Sequence, residues 1–191
     1  MLPKLSIVDF SYLDKTKLLE ILALRNSDYV REKMASSEEI LEDTHLLFCE
    51  SLKQRTDVLF CGVYLENKLV GVIDLKEIDL NSKSYESGCY FCKDSKNITY
   101  FANLAAFVIA KEIGLTKATC YVKKDNIQAV LFNTMKLRYK TTKENDEFYY
   151  FEKDLATQKT SFDNLKAKIS SSYELVINFN KSKYSKLYPR P

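Results

Sequence analysis

One short strand pattern and two helical patterns occupy the N-terminal quarter of the chain. Residues 5–9 are strand-like, and apolar side chains at every third or fourth position predict an amphipathic helix over residues 15–26. Ser36 and Glu39 have the spacing of a capping box, followed by further apolar residues at helical spacing. This pattern predicts a second helix that begins near Ser36 and continues through residues 40–52.

From residue 58 onward the pattern becomes that of strands. Residues 58–65 and 69–75 are rich in residues that favour strands, and the polar segment 66–68 between them predicts a β-hairpin. Residues 85–91 predict a further strand.

A long apolar helix and a second strand region complete the pattern. Residues 100–113 are apolar almost all round, as expected of a helix buried against a sheet, and Gly114 ends it. A strand over residues 118–122, a short helix over residues 127–134 and a hairpin within residues 139–153 follow. This order predicts an α/β (α+β) fold in which a mixed sheet carries helices on both faces.

The polar segment Lys124-Asp125-Asn126 lies between a predicted strand and a predicted helix. Its simplest interpretation is a turn with a helix N-cap. A functional interpretation adds that the preceding strand diverges from its neighbour and leaves a cleft. Ligands of α/β sheets bind at such points.

Composition favours one globular domain with a distinct C-terminus. The chain has 191 residues, of which 46% are hydrophobic and 29% charged, and its net charge of +3 is too small to indicate nucleic-acid binding. Neither a signal segment nor a membrane-length apolar run is recognisable, so we expect a cytoplasmic protein without an integral membrane segment.

Residues 156–191 contain seven Lys or Arg against two acidic residues. We therefore expect a domain over residues 1–155 and a basic extension of unknown role. A solvated, partly ordered tail explains its charge more simply than docking on an anionic membrane or nucleic acid.

The five cysteines do not indicate a metal site. Cys89 and Cys92 have ligand or redox spacing, but a zinc site would need two further ligands and His45 is the only histidine. Most of the cysteines lie in apolar runs, where they behave as small hydrophobic residues.

The segment 121–129, in which Asn126 opens a short helix after a strand, resembles the GNAT acyltransferase superfamily. Within it, the sequence is similar to the N-acetyltransferases of pseudaminic-acid biosynthesis, which acetylate a UDP-linked amino-dideoxy sugar used in flagellin glycosylation. The similarity follows the family's order over about four-fifths of the chain, in residues 24–34, 45–48, 70–74, 86–90, 121–129 and 146–150. It implies a GNAT-like, mostly antiparallel sheet with a splay between two parallel strands, and an enzyme that uses acetyl-CoA.

The resemblance also implies roles for residues around the splay. Acetyl-CoA would lie beside Gly88, Cys89 and Tyr90, whose backbone N–H groups can polarise the thioester carbonyl. Glu86 is the candidate base, acting directly or through water, although it could equally be an ordinary strand-edge charge. The catalytic candidates are therefore Glu86, Cys89 and Tyr90.

The acceptor implied by the resemblance is a nucleotide-linked amino sugar, placed over the N-terminal helices. Arg25 and Arg31 would pair with its phosphates, while Met34 and His45 would line its pocket. The alternatives are that the two arginines are solvated helix-end charges and that His45 is structural. A homodimer is compatible with this interpretation.

Two departures from the family pattern bear on activity. The family's pyrophosphate loop is rich in glycine and precedes a helix, whereas residues 94–99 contain no glycine. We expect Asn97 and Thr99 to cap that helix and to compete with a phosphate for its N–H groups, while Lys96 could restore only charge. The candidate cofactor-binding residues are Gly88, Cys89, Lys96, Asn97, Thr99, Asn126 and Phe132.

The second departure is Phe132, which occupies the position of the family's general-acid tyrosine and cannot donate a proton. A thiolate with a pKa near ~8.5 is a tolerable leaving group, and general acid help is typically worth about 10²–10⁴ in rate. Two functions therefore remain open: N-acetyl transfer to the amino sugar, and a weakened or non-catalytic GNAT-fold protein that binds or regulates.

Overall fold

Eight strands and seven α-helices build the structure, a computed structural model that describes residues 1–158 and 161–185 but not the side chains of residues 96 and 185. The strands are β1 (Lys4–Asp9), β2 (Leu59–Leu65), β3 (Lys68–Asp79), β4 (Ser84–Phe91), β5 (Lys117–Lys123), β6 (Lys140–Glu144), β7 (Phe148–Asp154) and β8 (Glu174–Asn178). The helices are α1 (Lys15–Asn26), α2 (Asp28–Arg31), α3 (Glu42–Ser51), α4 (Lys96–Ile113), α5 (Ile127–Leu131), α6 (Phe162–Ile169) and α7 (Ser182–Ser185). A 3₁₀ turn covers Phe10–Tyr12, and a π-helical turn, Phe132–Lys136, continues α5.

All eight strands belong to one sheet, in the order β6-β7-β5-β4-β3-β2-β1-β8. Two neighbouring pairs are parallel, β4 with β5 and β1 with β8, and the others are antiparallel. The predicted mixed, mostly antiparallel sheet is therefore confirmed.

The parallel pair β4–β5 separates soon after it begins. Its register contains only three residue pairs, of which the last joins Glu86 to Thr119. Beyond that point β4 remains paired with β3 and β5 remains paired with β7. The sheet therefore opens between Ser87 and Cys120, which confirms the predicted splay between two parallel strands.

Helices cover both faces of the sheet, as predicted. Helix α4 lies in the main core, where Ala102, Ala106 and Ile109 are 1% exposed or less. Helices α1 and α3 cover the opposite face through a second apolar cluster that includes Ile21 and Cys49. We refer to these as the α4 face and the α1/α3 face.

The capping box predicted at Ser36 is wrong. Helix α3 begins at Glu42, and no side chain caps its first turn. The segment before it is instead tied to α1, because the Asn26 amide donates to the carbonyl of Ile40 (2.8 Å) and accepts from its N–H (3.0 Å). This long-range amide pairing fixes residues 36–40 in a non-helical path, which the local capping pattern could not reveal.

The C-terminal extension packs on the sheet over residues 162–184. Strand β8 pairs in parallel with β1 along the sheet edge, and α6 buries Leu165 and Ile169 against the main core. Tyr184 is 2% exposed and donates its hydroxyl to the carbonyl of Val58 (2.8 Å). This part of the extension is therefore not the solvated tail that we expected. No helix in the described part of the chain is long and apolar enough to cross a bilayer.

Because Tyr184 is buried and hydrogen-bonded, we predict that the extension unfolds together with the sheet. Tyr184→Ala should lower the free energy of unfolding by about 3–5 kcal/mol, and Tyr184→Phe by about 0.5–1.5 kcal/mol. Urea denaturation followed by circular dichroism measures both changes. Tyr12→Ala is the matched control, because Tyr12 is 50% exposed. A Tyr184→Ala protein as stable as the control would show that the extension does not contribute to folding.

Candidate active site

A pocket of about 180 Å³ lies where β4 and β5 separate. We call it the splay pocket. Residues of β3, β4, β5, β7, α4, α5 with its N-cap, the π-helical turn and the segment after α2 line it: Lys33, Met34, Ala35, Asp74, Lys76, Glu86, Ser87, Gly88, Cys89, Asn103, Cys120, Tyr121, Val122, Lys123, Asn126, Ala129, Asn133 and Phe148.

The splay pocket passes through the sheet. Asp74 pairs with Gly88 in the β3–β4 register and shares the α1/α3 face with Val72 of the second cluster. Cys89 faces the opposite side, where the Asn103 amide of α4 lies 3.7 Å from its sulfur. A molecule in the pocket would therefore have access to both faces of the sheet and to the unpaired edge of β4.

Asp74 is the most unusual group in this pocket. It is 6% exposed, and its Oδ1 atom has no hydrogen-bond partner among the described residues. A Cβ atom at Gly88 would lie 2.4 Å from that oxygen, so only glycine leaves room for the carboxyl group. Burial raises the pKa of Asp74 to about 6; Lys76 opposes this shift and Glu86 adds to it.

Glu86, in contrast, has a partner. Its carboxylate lies 2.7 Å from the Lys76 ammonium, with 18% of the Glu86 side chain exposed. The pocket thus contains two carboxyl groups in different surroundings. Glu86 is paired with a cation, whereas Asp74 is buried and its Oδ1 atom has no hydrogen bond. Sequence reasoning missed Asp74 as a site residue; its signal was an acidic residue at the end of the apolar run 69–73.

The other catalytic candidates on β4 point in different directions. Cys89 is exposed and lines the pocket. Tyr90 does not line it, but packs against the second apolar cluster under α1 and α3. Burial, followed by the nearby Asp74, raises the pKa of Tyr90 well above its usual value, so this phenol remains protonated.

Asn126 caps α5 as predicted, because its side-chain oxygen accepts a hydrogen bond from the Ala129 N–H (3.2 Å). The π-helical turn follows, closed by a bond from the Leu137 N–H to the Phe132 carbonyl (3.0 Å). Asn133 lies on the side of this helix that lines the splay pocket, whereas Phe132 lies on the other side. Among the described lining residues, Tyr121 is the one tyrosine of the splay pocket.

A larger cavity, of about 1150 Å³, flanks the other side of the same helix. We call it the helix cavity. It is lined by α4, the π-helical turn, the residues after it, β7 and the C-terminal extension: Asn97, Tyr100, Phe101, Leu104, Phe107, Phe132, Met135, Lys136, Leu137, Arg138, Lys153, Gln158, Asn164, Leu165, Lys168, Ser172 and Tyr173.

The N-terminus of α4 is not capped by a side chain, so the expected capping by Asn97 and Thr99 is wrong. Thr99 donates its hydroxyl to the Ser95 carbonyl (3.1 Å), and Ser95 donates its own to the Cys92 carbonyl (2.7 Å). Both hydroxyls are thus directed one turn back, and no side-chain cap of the first-turn N–H groups is present in the described part of the chain. The side chain of Lys96 lies outside the described residues.

Neither Arg25 nor Arg31 lines the splay pocket, although Met34, which does, donates its N–H to the Arg31 carbonyl (3.1 Å). Nη1 of Arg25 and Nε of Arg31 are buried and have no hydrogen-bond partner within the described part of the chain. Burial lowers the pKa of Arg25, Tyr90 opposes this, and the charge of Arg31 lowers it further.

Other nitrogens of the two guanidinium groups have partners. Arg31 pairs with Asp28 (3.5 Å) and Glu39 (4.0 Å). Arg25 donates to the Ser36 carbonyl (3.0 Å). Each guanidinium group therefore keeps one unpartnered donor.

His45 does not line the splay pocket or the helix cavity. It is 6% exposed, its Nε2 lies 2.9 Å from the Leu18 carbonyl, and burial lowers its pKa. The neutral ring therefore links α3 to α1, which is the geometry of a structural histidine. The structure brings together Met34, Glu86, Gly88, Cys89 and Asn126 at the splay pocket, and Asn97 and Phe132 at the helix cavity.

Comparison with known proteins supports the fold. No protein family and no curated protein sequence matches this chain. The N-acetyltransferase PseH of Campylobacter jejuni is 22% identical with a TM-score of 0.61, over 81% of this chain and 100% of that chain. Its acetyl coenzyme A complex matches 80% of this chain and 99% of that chain, with the same identity and TM-score. The spermidine N-acetyltransferase of Vibrio cholerae, bound to CoA and spermine, is 15% identical with a TM-score of 0.71, over 80% and 96% of the two chains. The chain thus has the predicted GNAT-like fold.

The buried Asp74 carboxyl leads to a prediction about stability and pH. Its pKa rises from 3.8 in an exposed setting to about 6 in the folded chain, so the folded state binds its proton more tightly. The Asp74 carboxyl does not lower the free energy of unfolding below about pH 4, where it is protonated in both the folded and the unfolded state. It lowers the free energy of unfolding most above about pH 6. Asp74→Asn should therefore raise the free energy of unfolding by about 1–3 kcal/mol at pH 8 and by almost nothing at pH 4.

Urea denaturation of both proteins at the two pH values measures this difference. Asp146→Asn, at an exposed position, is the control and should change little at either pH. An Asp74→Asn protein that is less stable than wild type at pH 8 would contradict a desolvated, unpaired carboxylate.

Proposed function

We propose that this chain is an N-acetyltransferase that moves the acetyl group of acetyl-CoA to an amino group of a nucleotide-linked amino-dideoxy sugar. The single observation that supports it most is a pocket through the sheet that combines the open edge of β4 with a buried carboxylate, Asp74. The similar fold of a C. jejuni N-acetyltransferase that binds acetyl coenzyme A agrees with this assignment.

The proposed donor site fits the residues that are present. From Ser87 onward β4 has no strand partner on its β5 side in the described chain, and Gly88 and Cys89 line the pocket there. Backbone N–H groups on such an edge can stabilise the negative charge that develops on a carbonyl oxygen. Acetyl-CoA, a co-substrate, would supply the thioester carbonyl at this edge.

We assign the role of base to Asp74. In direct attack the amine lone pair forms a bond to the thioester carbon, the carbon–sulfur bond breaks, and its electron pair leaves with the CoA sulfur. The surplus proton on the nitrogen passes to the Asp74 carboxylate, directly or through water. Glu86, the base proposed from the sequence, is held by Lys76 and is better suited to keeping the pKa of Asp74 raised.

The acid that would protonate the departing CoA thiolate is not evident among the described residues. Phe132 cannot donate a proton and lines the helix cavity instead of the splay pocket. Because a thiolate leaves without protonation more easily than an alkoxide, transfer can proceed at a reduced rate. This feature, together with the absence of glycine in residues 94–99, favours one second candidate, a GNAT-fold protein that binds the same ligands without turnover.

The acceptor class rests on Arg25 and Arg31. Their buried, unpartnered donors beside Met34 suit the phosphates of a nucleotide sugar, because guanidinium groups bind phosphate through charge-assisted, often bidentate hydrogen bonds. Spermidine, a polycation without phosphate, is the informative comparison substrate.

We predict acetyl-CoA-dependent CoA release with a UDP-linked 4-amino-4,6-dideoxy sugar and little or none with spermidine. Asp74→Asn should lower kcat/KM by about 10²–10⁴, which is the usual range for loss of a general base. In the wild type, kcat/KM should fall as the pH drops through about 6, because Asp74 is then protonated. A thiol-reactive dye measures CoA release, and mass spectrometry identifies the acetylated product.

Asp146→Asn is the control for this assay and should behave as wild type. Full activity of Asp74→Asn would contradict the assignment of the base. Binding of acetyl-CoA in calorimetry without CoA release for any amine would instead favour the non-catalytic candidate.

We also predict that Arg25→Ala and Arg31→Ala raise KM for the UDP-linked sugar by roughly 10- to 100-fold, the equivalent of one lost hydrogen bond to a charged group. The affinity for acetyl-CoA should remain unchanged, because the donor lies on the other side of the pocket. Arg55→Ala serves as control, since Arg55 is bound to Asp57 on the surface (2.6 Å). Equal losses with the free amino sugar, which has no phosphate, would contradict phosphate recognition.

A further inference from the structure

All the charged side chains in the described lining of the helix cavity are cations. Four of its lining residues are cationic, Lys136, Arg138, Lys153 and Lys168, and none of its described lining residues is a carboxylate. None of the four takes part in an ion pair within residues 1–158 and 161–185. Cations gathered around a cavity without acidic partners form a site that favours a polyanion.

One of these cations is held in the cavity wall. Lys153 is 7% exposed and donates to the Leu137 carbonyl (2.6 Å), over the ring of Phe107 (5.5 Å). Burial lowers its pKa, and the positive charge of Arg138 lowers it further. An anion placed beside the two groups would remove this repulsion.

The C-terminal extension supplies the opposite wall. The Lys168 ammonium on α6 lies 2.9 Å from the Tyr100 hydroxyl of α4, which positions the cation at the cavity. Tyr173, also in the extension, packs edge-on against Phe101 with 6.1 Å between the ring centres. Aromatic side chains in such a wall can stack with a nucleobase while the cations hold phosphates.

The cavity is also next to the splay pocket. Asn133 lines the splay pocket, whereas Phe132, Met135 and Lys136 on the same helix line the helix cavity. Asn97, in the uncapped first turn of α4, lines the cavity as well. A long ligand with its reactive end in the splay pocket could therefore place a charged end here.

We propose that the C-terminal extension completes a binding site for a purine nucleoside polyphosphate in the helix cavity, with Lys168 and the facing cations on its phosphates. This inference rests on the proposed function, because it identifies that polyphosphate as the adenosine 3′-phosphate 5′-diphosphate end of CoA. The fold neighbours match about four-fifths of this chain while using nearly all of their own. A fifth of this chain therefore has no counterpart in them.

Calorimetry of the full chain with CoA, dephospho-CoA and adenosine 3′,5′-bisphosphate tests the inference. Wild type should bind CoA more tightly than dephospho-CoA, which lacks the 3′-phosphate. Lys168→Ala should weaken binding of CoA and of the bisphosphate about tenfold, the size of one charge-assisted hydrogen bond to phosphate. Binding should also weaken as the salt concentration rises.

Lys166→Ala is the matched control, because Lys166 is an exposed lysine on the same helix that does not line the cavity. Its affinities should equal those of wild type. Thermal unfolding of both variants checks that the extension is still folded. Wild-type affinity of Lys168→Ala for CoA would overturn the inference, and so would equal weakening by the two substitutions.

The two proposals can fail separately. CoA release from acetyl-CoA with an affinity that does not depend on Lys168 would support the proposed function and overturn this inference. Binding of the bisphosphate that depends on Lys168, without acetyl transfer to any amine, would support the site and overturn the proposed function. Absence of binding for all three ligands would overturn this inference.

Discussion

The separation of β4 from β5 after three residue pairs is the constraint on which the rest of the structure depends. Strands of one sheet normally remain paired because unpaired backbone groups lose their hydrogen bonds. Here β4 remains paired with β3 through Phe91 and β5 remains paired with β7 through Lys123, while the two strands diverge from each other. The sheet is stable enough to keep an open edge in its middle, and that edge is the one place where a ligand's carbonyl can meet backbone N–H groups on β4.

Asp74 shows how the same opening affects stability and chemistry together. A carboxylate beside Gly88 and under the N-terminal helices is separated from water, which raises its pKa to about 6. Such a group destabilises the folded state when it is ionised, and a chain selected only for stability would not need it. Lys76 does not neutralise it fully, because its ammonium is paired with Glu86 at 2.7 Å. This arrangement agrees with the proposed role of Asp74 as the base.

The sequence was sufficient where local rules decide the structure. Runs of strand-favouring residues predicted β1 to β7, and Asn126 was predicted to cap α5, which the bond to Ala129 confirms. It was insufficient where distant residues meet. Asn26 displaces the start of α3 from Ser36 by binding Ile40, and Asp74 becomes a site residue only through its register with Gly88. Neither contact leaves a local pattern, since the partners are 14 residues apart or on different strands.

The proposed site in the helix cavity would hold phosphates in a different way from a glycine-rich loop. A glycine-rich loop binds them at short range, because missing side chains let the oxygens reach backbone N–H groups. Residues 94–99 contain no glycine, but the first turn of α4 is not capped by a side chain, and Lys168 of α6 lines the same helix cavity as Asn97 of that turn. Long cationic side chains act over a greater distance, although each must lose conformational freedom on binding and each is screened by salt. In the proposed site, charge from the extension would thus replace close backbone approach. The splay is present, whereas residues 94–99 lack the glycine-rich pattern that the resemblance implied.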